Sequence, residues 1–106
     1  MPALRLSIMV PLPGQRDQVE RLLDHLEELL AKHPGYIAGG RFAAADTSGE
    51  VGRIGIWQTH ADADHAATDD DVMAVRSQFH QLIQPGHLER LYDTVGDSAL
   101  ARVHAG

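Results

Sequence analysis

Residues 50–83 read EVGRIGIWQTHADADHAATDDDVMAVRSQFHQLI. The run holding Val51, Ile54, Ile56 and Trp57 stops at Trp57-Gln58-Thr59, and a helical pattern starts at once. Alternation of period two marks a strand, and apolar residues three and four apart mark an amphipathic helix. Thr59 followed by Asp62 resembles a capping box, with Asp a shorter partner than the preferred Glu. It predicts a short helix over residues 61–67. Thr68 and the acidic triplet 69–71 read as a second helix start, because negative charge suits the positive end of the helix dipole. Val72, Val75, Phe79, Leu82 and Ile83 then form a stripe that Pro85-Gly86 ends.

The same reading extends in both directions. Leu4, Leu6, Ile8 and Val10 alternate with Ala3, Arg5, Ser7 and Met9, which predicts a first strand closed by Pro11, Pro13 and Gly14. Over residues 15–33, Val19, Leu22, Leu23, Leu26, Leu29 and Leu30 make one apolar stripe. That predicts a helix with Asp17 and Glu20 in its first turn, Lys32 and His33 in its last, and Pro34-Gly35 as its stop. Residues 36–45 form a weaker second strand, interrupted by Gly39 and Gly40, and Asp46-Thr47-Ser48-Gly49 is a turn between antiparallel strands. Residues 88–95 read as the last strand, and 96–106 as a small, polar tail.

The order is strand, helix, strand, strand, helix, strand. It predicts an α+β, ferredoxin-like βαββαβ domain over residues 1–95, with a four-stranded antiparallel sheet and a C-terminal tail at 96–106. Right-handed crossovers place both helices on one sheet face. The opposite face still carries apolar residues, which a single chain of 106 residues cannot bury. A homodimer with two-fold symmetry, one sheet face packed on its twin, is expected.

Composition narrows the function. Net charge is -6, from 9 basic and 15 acidic residues, with no basic block, so neither nucleic acid nor an anionic membrane surface is an expected partner. The absence of cysteine removes disulfides, thiolate nucleophiles and cysteine-based metal sites. Residues 1–10 read as a strand and not a signal peptide, no run reaches the length of a membrane span, and a cytoplasmic location is expected.

Seven histidines raise a metal reading. His60 with Asp64 and His65 with Asp69 are spaced to share helix faces, but no zinc or calcium pattern completes either pair, and no metal is expected. His65 first, and His80 second, are candidate general bases, since imidazole titrates near neutrality. Trp57, the single tryptophan, is a candidate wall for a flat ligand or a packing residue. Ser7 is a candidate hydrogen-bonding group. Arg41 and Arg53 are strand cations for a carboxylate or phenolate, with salt bridges to the plentiful acids as the competing use. Gly39-Gly40, Gly52 and Gly55 lack the setting of a phosphate loop; they mark close backbone approach, or room for a ligand between sheet and helices.

His33-Pro34-Gly35-Tyr36-Ile37, the segment GRIGIW at 52–57 and ADADHAA at 61–67 resemble the antibiotic biosynthesis monooxygenase family of dimeric α+β barrels, over most of residues 4–95. The resemblance implies a homodimer and a pocket between sheet and helices. It implies a monooxygenase-like activity without a cofactor on an aromatic or polyketide-like molecule. The alternative it allows is a non-catalytic or stress-linked homodimer that binds a small apolar or aromatic ligand. The haem-degrading branch expects an Asn where Ser7 stands, a Trp where Ala66 stands and a haem-ligating His where Val75 stands, so that branch does not fit. Asparagine, which polarises the phenol in some oxygenase members, is absent from the chain.

Overall fold

The computed structural model describes residues 2–95; the expected tail at 96–106 lies outside the described residues. Seven elements follow one another: β1 (Ala3–Met9), α1 (Arg16–Leu30), β2 (Tyr36–Ala43), β3 (Val51–Trp57), α2 (His60–Ala67), α3 (Asp70–Phe79) and β4 (Leu88–Asp93). The strands form one antiparallel sheet in the order β2-β3-β1-β4. This is the expected ferredoxin-like arrangement, with the second crossover divided between α2 and α3.

The period of two on β1 and β3 sorts the side chains between the faces. Ala3, Ser7, Met9, Val51, Arg53 and Trp57 are buried beneath the helices, where the apolar stripe of α1 and Val72, Val75 and Phe79 of α3 complete the core. Leu4, Leu6, Ile8 and Ile54 lie on the other face and stay partly exposed, with Leu6 directly opposite Ile54 in the β1–β3 register. Tyr92 adds to the exposed apolar residues.

Local signals act as their chemistry dictates. The Thr59 side chain accepts from Asp62 N–H to start α2, and the Asp69 carboxylate accepts from the N–H groups of Asp71 and Val72 to start α3. Those bonds, Val72's first, hold the Asp69 carboxyl below the usual carboxylate range. After α1 the chain reverses at Gly35 with φ +86, and a β-carbon there would collide with the Asp62 side chain at 2.2 Å. Glycine alone meets both demands. Gly35 C=O then accepts from Gln58 N–H, tying the turn to the end of β3.

Several element ends differ from expectation: β2 and β4 stop at Ala43 and Asp93, short of the expected 45 and 95, and both longer helices end early. Helix α1 ends at Leu30, so Lys32 and His33 lie beyond its last turn. Helix α3 ends at Phe79 although the apolar stripe runs on through Leu82 and Ile83. There the backbone leaves the helix to bond the exit of β1: Leu12 N–H donates to Leu82 C=O, Gln84 N–H donates to Val10 C=O, and Pro11 bridges Ile83. Long-range pairing satisfies those groups as well as a further helical turn would, and it still buries Ile83.

Candidate functional site

The helix-facing side of the sheet carries polar groups at its centre. Ser7, Arg53 and Trp57 are all buried, Arg53 at 2% exposure and Trp57 at 1%. Burying a guanidinium is costly unless it is paired. Its partner comes from α1: Arg53 Nη2 donates to Glu27 Oε2 at 2.8 Å. The second oxygen of the same carboxylate accepts from the Tyr36 hydroxyl. Tyr36 in turn lies edge-on to Trp57, with centroids 5.6 Å apart and the rings at 87°. Glu27 therefore links a strand cation to a phenol, and the phenol braces the tryptophan.

Room for that carboxylate is made on the neighbouring strand. Gly39 pairs with Gly55 across β2 and β3, and a β-carbon on Gly39 would come within 2.7 Å of Glu27 Oε1. Gly39 and Gly55 belong to the helix face, whereas the register places Gly40 and Gly52 on the other. The space beside Gly39 and Gly55 is taken by the Glu27, Arg53 and Trp57 side chains.

Burial, and next the hydrogen bond to Glu27, push the Tyr36 phenol up from 10.0 to about 12. A raised value in the folded state means the neutral phenol is the form the fold prefers. The stability it contributes is whole below pH 10.0 and is lost as pH rises towards about 12. Titration of phenolate absorbance is expected to show one tyrosine ionising near 12, and Tyr36→Phe should remove that step. Retention of the step in the variant would reassign the group.

Between sheet and helices lies a cavity of about 40 Å³, whose polar lining includes Ser7, Arg53, Arg76 and His80 among Leu26 and Phe79. A second void of about 20 Å³ shares Ser7, Leu26, Arg53 and Arg76 with it and reaches Trp57. Outside both is an open cleft of about 530 Å³, lined by Arg5, Asp64, Met73, Arg76, Ser77 and His80. Arg76 on α3 pairs with Glu89 on β4, and the pair lines both inner voids. The cleft is large enough for a small aromatic body; the inner voids admit only single polar groups.

The candidate residues separate accordingly. Ser7, Arg53 and His80 meet at the inner cavity, and Trp57 lines the adjoining void. Trp57 is fully buried, as a packing residue is. His65, expected first as base, is exposed on α2 and lines neither the cavity, the inner void nor the cleft; its ring lies edge-on to His33 at 6.3 Å. His80 takes its place because the chain leaves α3 at that residue and turns back over the cavity. Arg41 is exposed and held by Glu20 and by Asp24 at 2.8 Å, the salt-bridging use foreseen for a strand cation. The His65–Asp69 pair does not form, since Asp69 caps α3 and meets His33 Nε2 at 3.3 Å, and His60 pairs instead with Asp93. Among the described residues no three His, Asp or Glu side chains are grouped to hold a metal, and no helix is long and apolar enough to cross a membrane. Glu27 and Arg76 were missed: spacing along α1 and α3 gives each a partly solvated position, and nothing local marks its partner.

Comparison with solved structures gives the fold a context. The chain is 16% identical to Rv0793 from Mycobacterium tuberculosis, with a TM-score of 0.84 over 93% of this chain and 100% of that one. It is 12% identical to SnoaB, a cofactor-independent oxygenase from Streptomyces nogalater, with a TM-score of 0.79 over 92% of this chain and 97% of that one. A protein from Nitrosomonas europaea, provisionally named an antibiotic biosynthesis monooxygenase, is 10% identical with a TM-score of 0.81, over 92% and 94% of the two chains. The chain therefore shares the fold of these proteins, among them a cofactor-independent oxygenase and a protein provisionally named an antibiotic biosynthesis monooxygenase. A family model described as glutathione S-transferase, C-terminal domain, matches residues 11–48, a stretch that holds α1 and β2 but neither Arg53 nor Trp57. No curated protein matches the sequence.

Proposed function

We propose that this chain is a small cofactor-independent monooxygenase-like enzyme acting on an aromatic or polyketide-like molecule, and that it works as a homodimer. The observation that carries the reading is the convergence of Ser7, Arg53 and His80 on one cavity between sheet and helices. The likeness to SnoaB, a cofactor-independent oxygenase, supports the reaction class. The substrate's ring lies in the outer cleft and its reacting edge faces His80, which borders both spaces. His80 takes a proton from an activated ring methylene, and the charge left on the conjugated oxygen is balanced by Arg53. The electron-rich carbanion reduces dioxygen, and a carbon–oxygen bond forms. Loss of water from the resulting peroxide leaves a ketone, so one methylene and one O₂ give one carbonyl and one H₂O.

Oxygen uptake with anthrone as substrate tests this. His80→Ala is expected to lower the rate by about 10²–10⁴-fold, the usual contribution of a positioned general base, while His65→Ala leaves it unchanged. No uptake above buffer by the wild type removes the oxygenase reading for this substrate class.

A binding role without turnover is the second reading. It is favoured by the inner voids of about 40 and 20 Å³, which hold a polar group and not a reacting ring. Mass spectrometry of ligand extracted from the purified protein separates the two: an unoxidised aromatic that stays unchanged under oxygen supports binding alone.

A further inference from the structure

One side chain of α3 stands where the inner voids meet the outer cleft. Of the residues lining the cavity of about 40 Å³, the void of about 20 Å³ and the cleft of about 530 Å³, Arg76 alone borders all three. Its position on the helix explains this. Residue 76 follows Val72 by four and precedes Phe79 by three, so its stem lies along the buried stripe while its long end can reach either way. Inward, the guanidinium pairs with Glu89 of β4, which lines both inner voids and not the cleft. Outward, the cleft is lined by Asp64 of α2, which among the described residues is paired with no cation. Arg76 and Glu89 are each 30% exposed, so water screens their attraction and parting them costs little.

We propose that Arg76 is a two-position gate between the outer cleft and the inner voids. Turned to Glu89, as the structure shows it, the side chain separates the two spaces. Turned to Asp64, it leaves a way from the cleft to Ser7, Arg53 and Trp57, which line the void behind it. A guanidinium with a carboxylate on either side has two discrete resting places, and a contact of that kind switches instead of deforming by degrees. The closed position accounts for inner voids that hold a single polar group although a cleft for a whole ring adjoins them. The gate concerns access alone, so it goes beyond the reaction proposed above and serves a binding role equally.

Trp57 reports on the gate without any substrate. It is the chain's single tryptophan, it is buried, and it lines the inner void, so acrylamide in solution meets it when that void joins the cleft. Fluorescence of the intact wild type should be quenched weakly. Arg76→Ala removes the gate and Glu89→Gln removes its inner partner. Each should raise the quenching constant about two- to fivefold, the change in population that an exposed ion pair supports. Adding Asp64→Asn to Glu89→Gln removes the outer partner as well and should bring the constant back towards wild type. A merely loosened structure would instead add the second change to the first. Arg41→Ala, which breaks an exposed ion pair on β2, should leave quenching unaltered. Thermal unfolding shows which variants are folded at the temperature used. Should Arg76→Ala fail to fold, Glu89→Gln and the double variant decide. The gate is overturned by a wild type quenched as freely as an exposed tryptophan, by wild-type quenching in folded Arg76→Ala or Glu89→Gln, or by a double variant quenched more than Glu89→Gln.

Discussion

Replacing Glu27 with alanine should be among the most damaging single changes in this chain. The substitution leaves the buried Arg53 as an uncompensated charge under the helices and strips the Tyr36 hydroxyl of its acceptor. Breaking one partner out of a buried pair typically costs about 3–5 kcal/mol. Glu27 is itself 22% exposed, and water can reach part of the gap, so the lower end applies. Against a total of about 5–15 kcal/mol for a domain, that is a large fraction. It corresponds to a fall in melting temperature on the order of 10–20 °C. The double variant Glu27→Leu with Arg53→Met should recover most of the loss, because apolar residues of similar volume replace buried ion pairs at little cost. Thermal unfolding of the three proteins decides the matter. A Glu27→Ala protein within about 1 kcal/mol of wild type would show that solvent already screens the pair.

The second large effect is expected on the open sheet face. Leu4, Leu6, Ile8, Val10 and Ile54 project from the side of the sheet that none of the described helices covers, and Phe42 is half-buried there. A patch of this kind on a small domain is unstable in water unless a partner takes it. The proposed partner is a second copy related by two-fold symmetry, which brings the same apolar surface to both sides of the interface. In sedimentation at micromolar concentration the wild type should have twice the 11.5 kDa chain mass. Ile54→Asp puts a carboxylate into the centre of that interface twice, once per copy. At about 2 kcal/mol for each buried unpaired polar group, dissociation should rise about a thousandfold, giving single chains. A wild type that sediments as a lone, cooperatively folded chain contradicts the assembly, and so does a variant that stays dimeric.

Much of this was legible along the chain. The alternation in Ala3–Met9 and Val51–Trp57, the stripe of α1, the cap at Thr59 and the acidic start at 68–71 are local signals, and each produced the element it announces, although Thr68 closes α2 and Asp69 caps α3. Period two also separates Ile54 and Ile56 from Trp57, which is why an apolar open face could be foreseen. The fate of the histidines was not legible. His65 and His80 are alike in local sequence chemistry, and only the return of the chain from α3 to the end of β1 turns His80 towards the cavity.

What the order of residues determined alone is the succession of strands and helices and the face to which each apolar side chain belongs, because those follow from periodicities of two and 3.6 and from capping chemistry within a few residues. What the tertiary structure decided is the polar centre. Arg53 and Arg41 are both strand cations beside glycines in sequence, yet one is sealed against Glu27, 26 positions earlier, while the other is spent on the surface with Glu20 and Asp24. The difference is depth. A charge under the helices has to find its partner inside the protein, and which carboxylate stands there depends on how α1 lies across the sheet, a relation that no stretch of neighbouring residues contains.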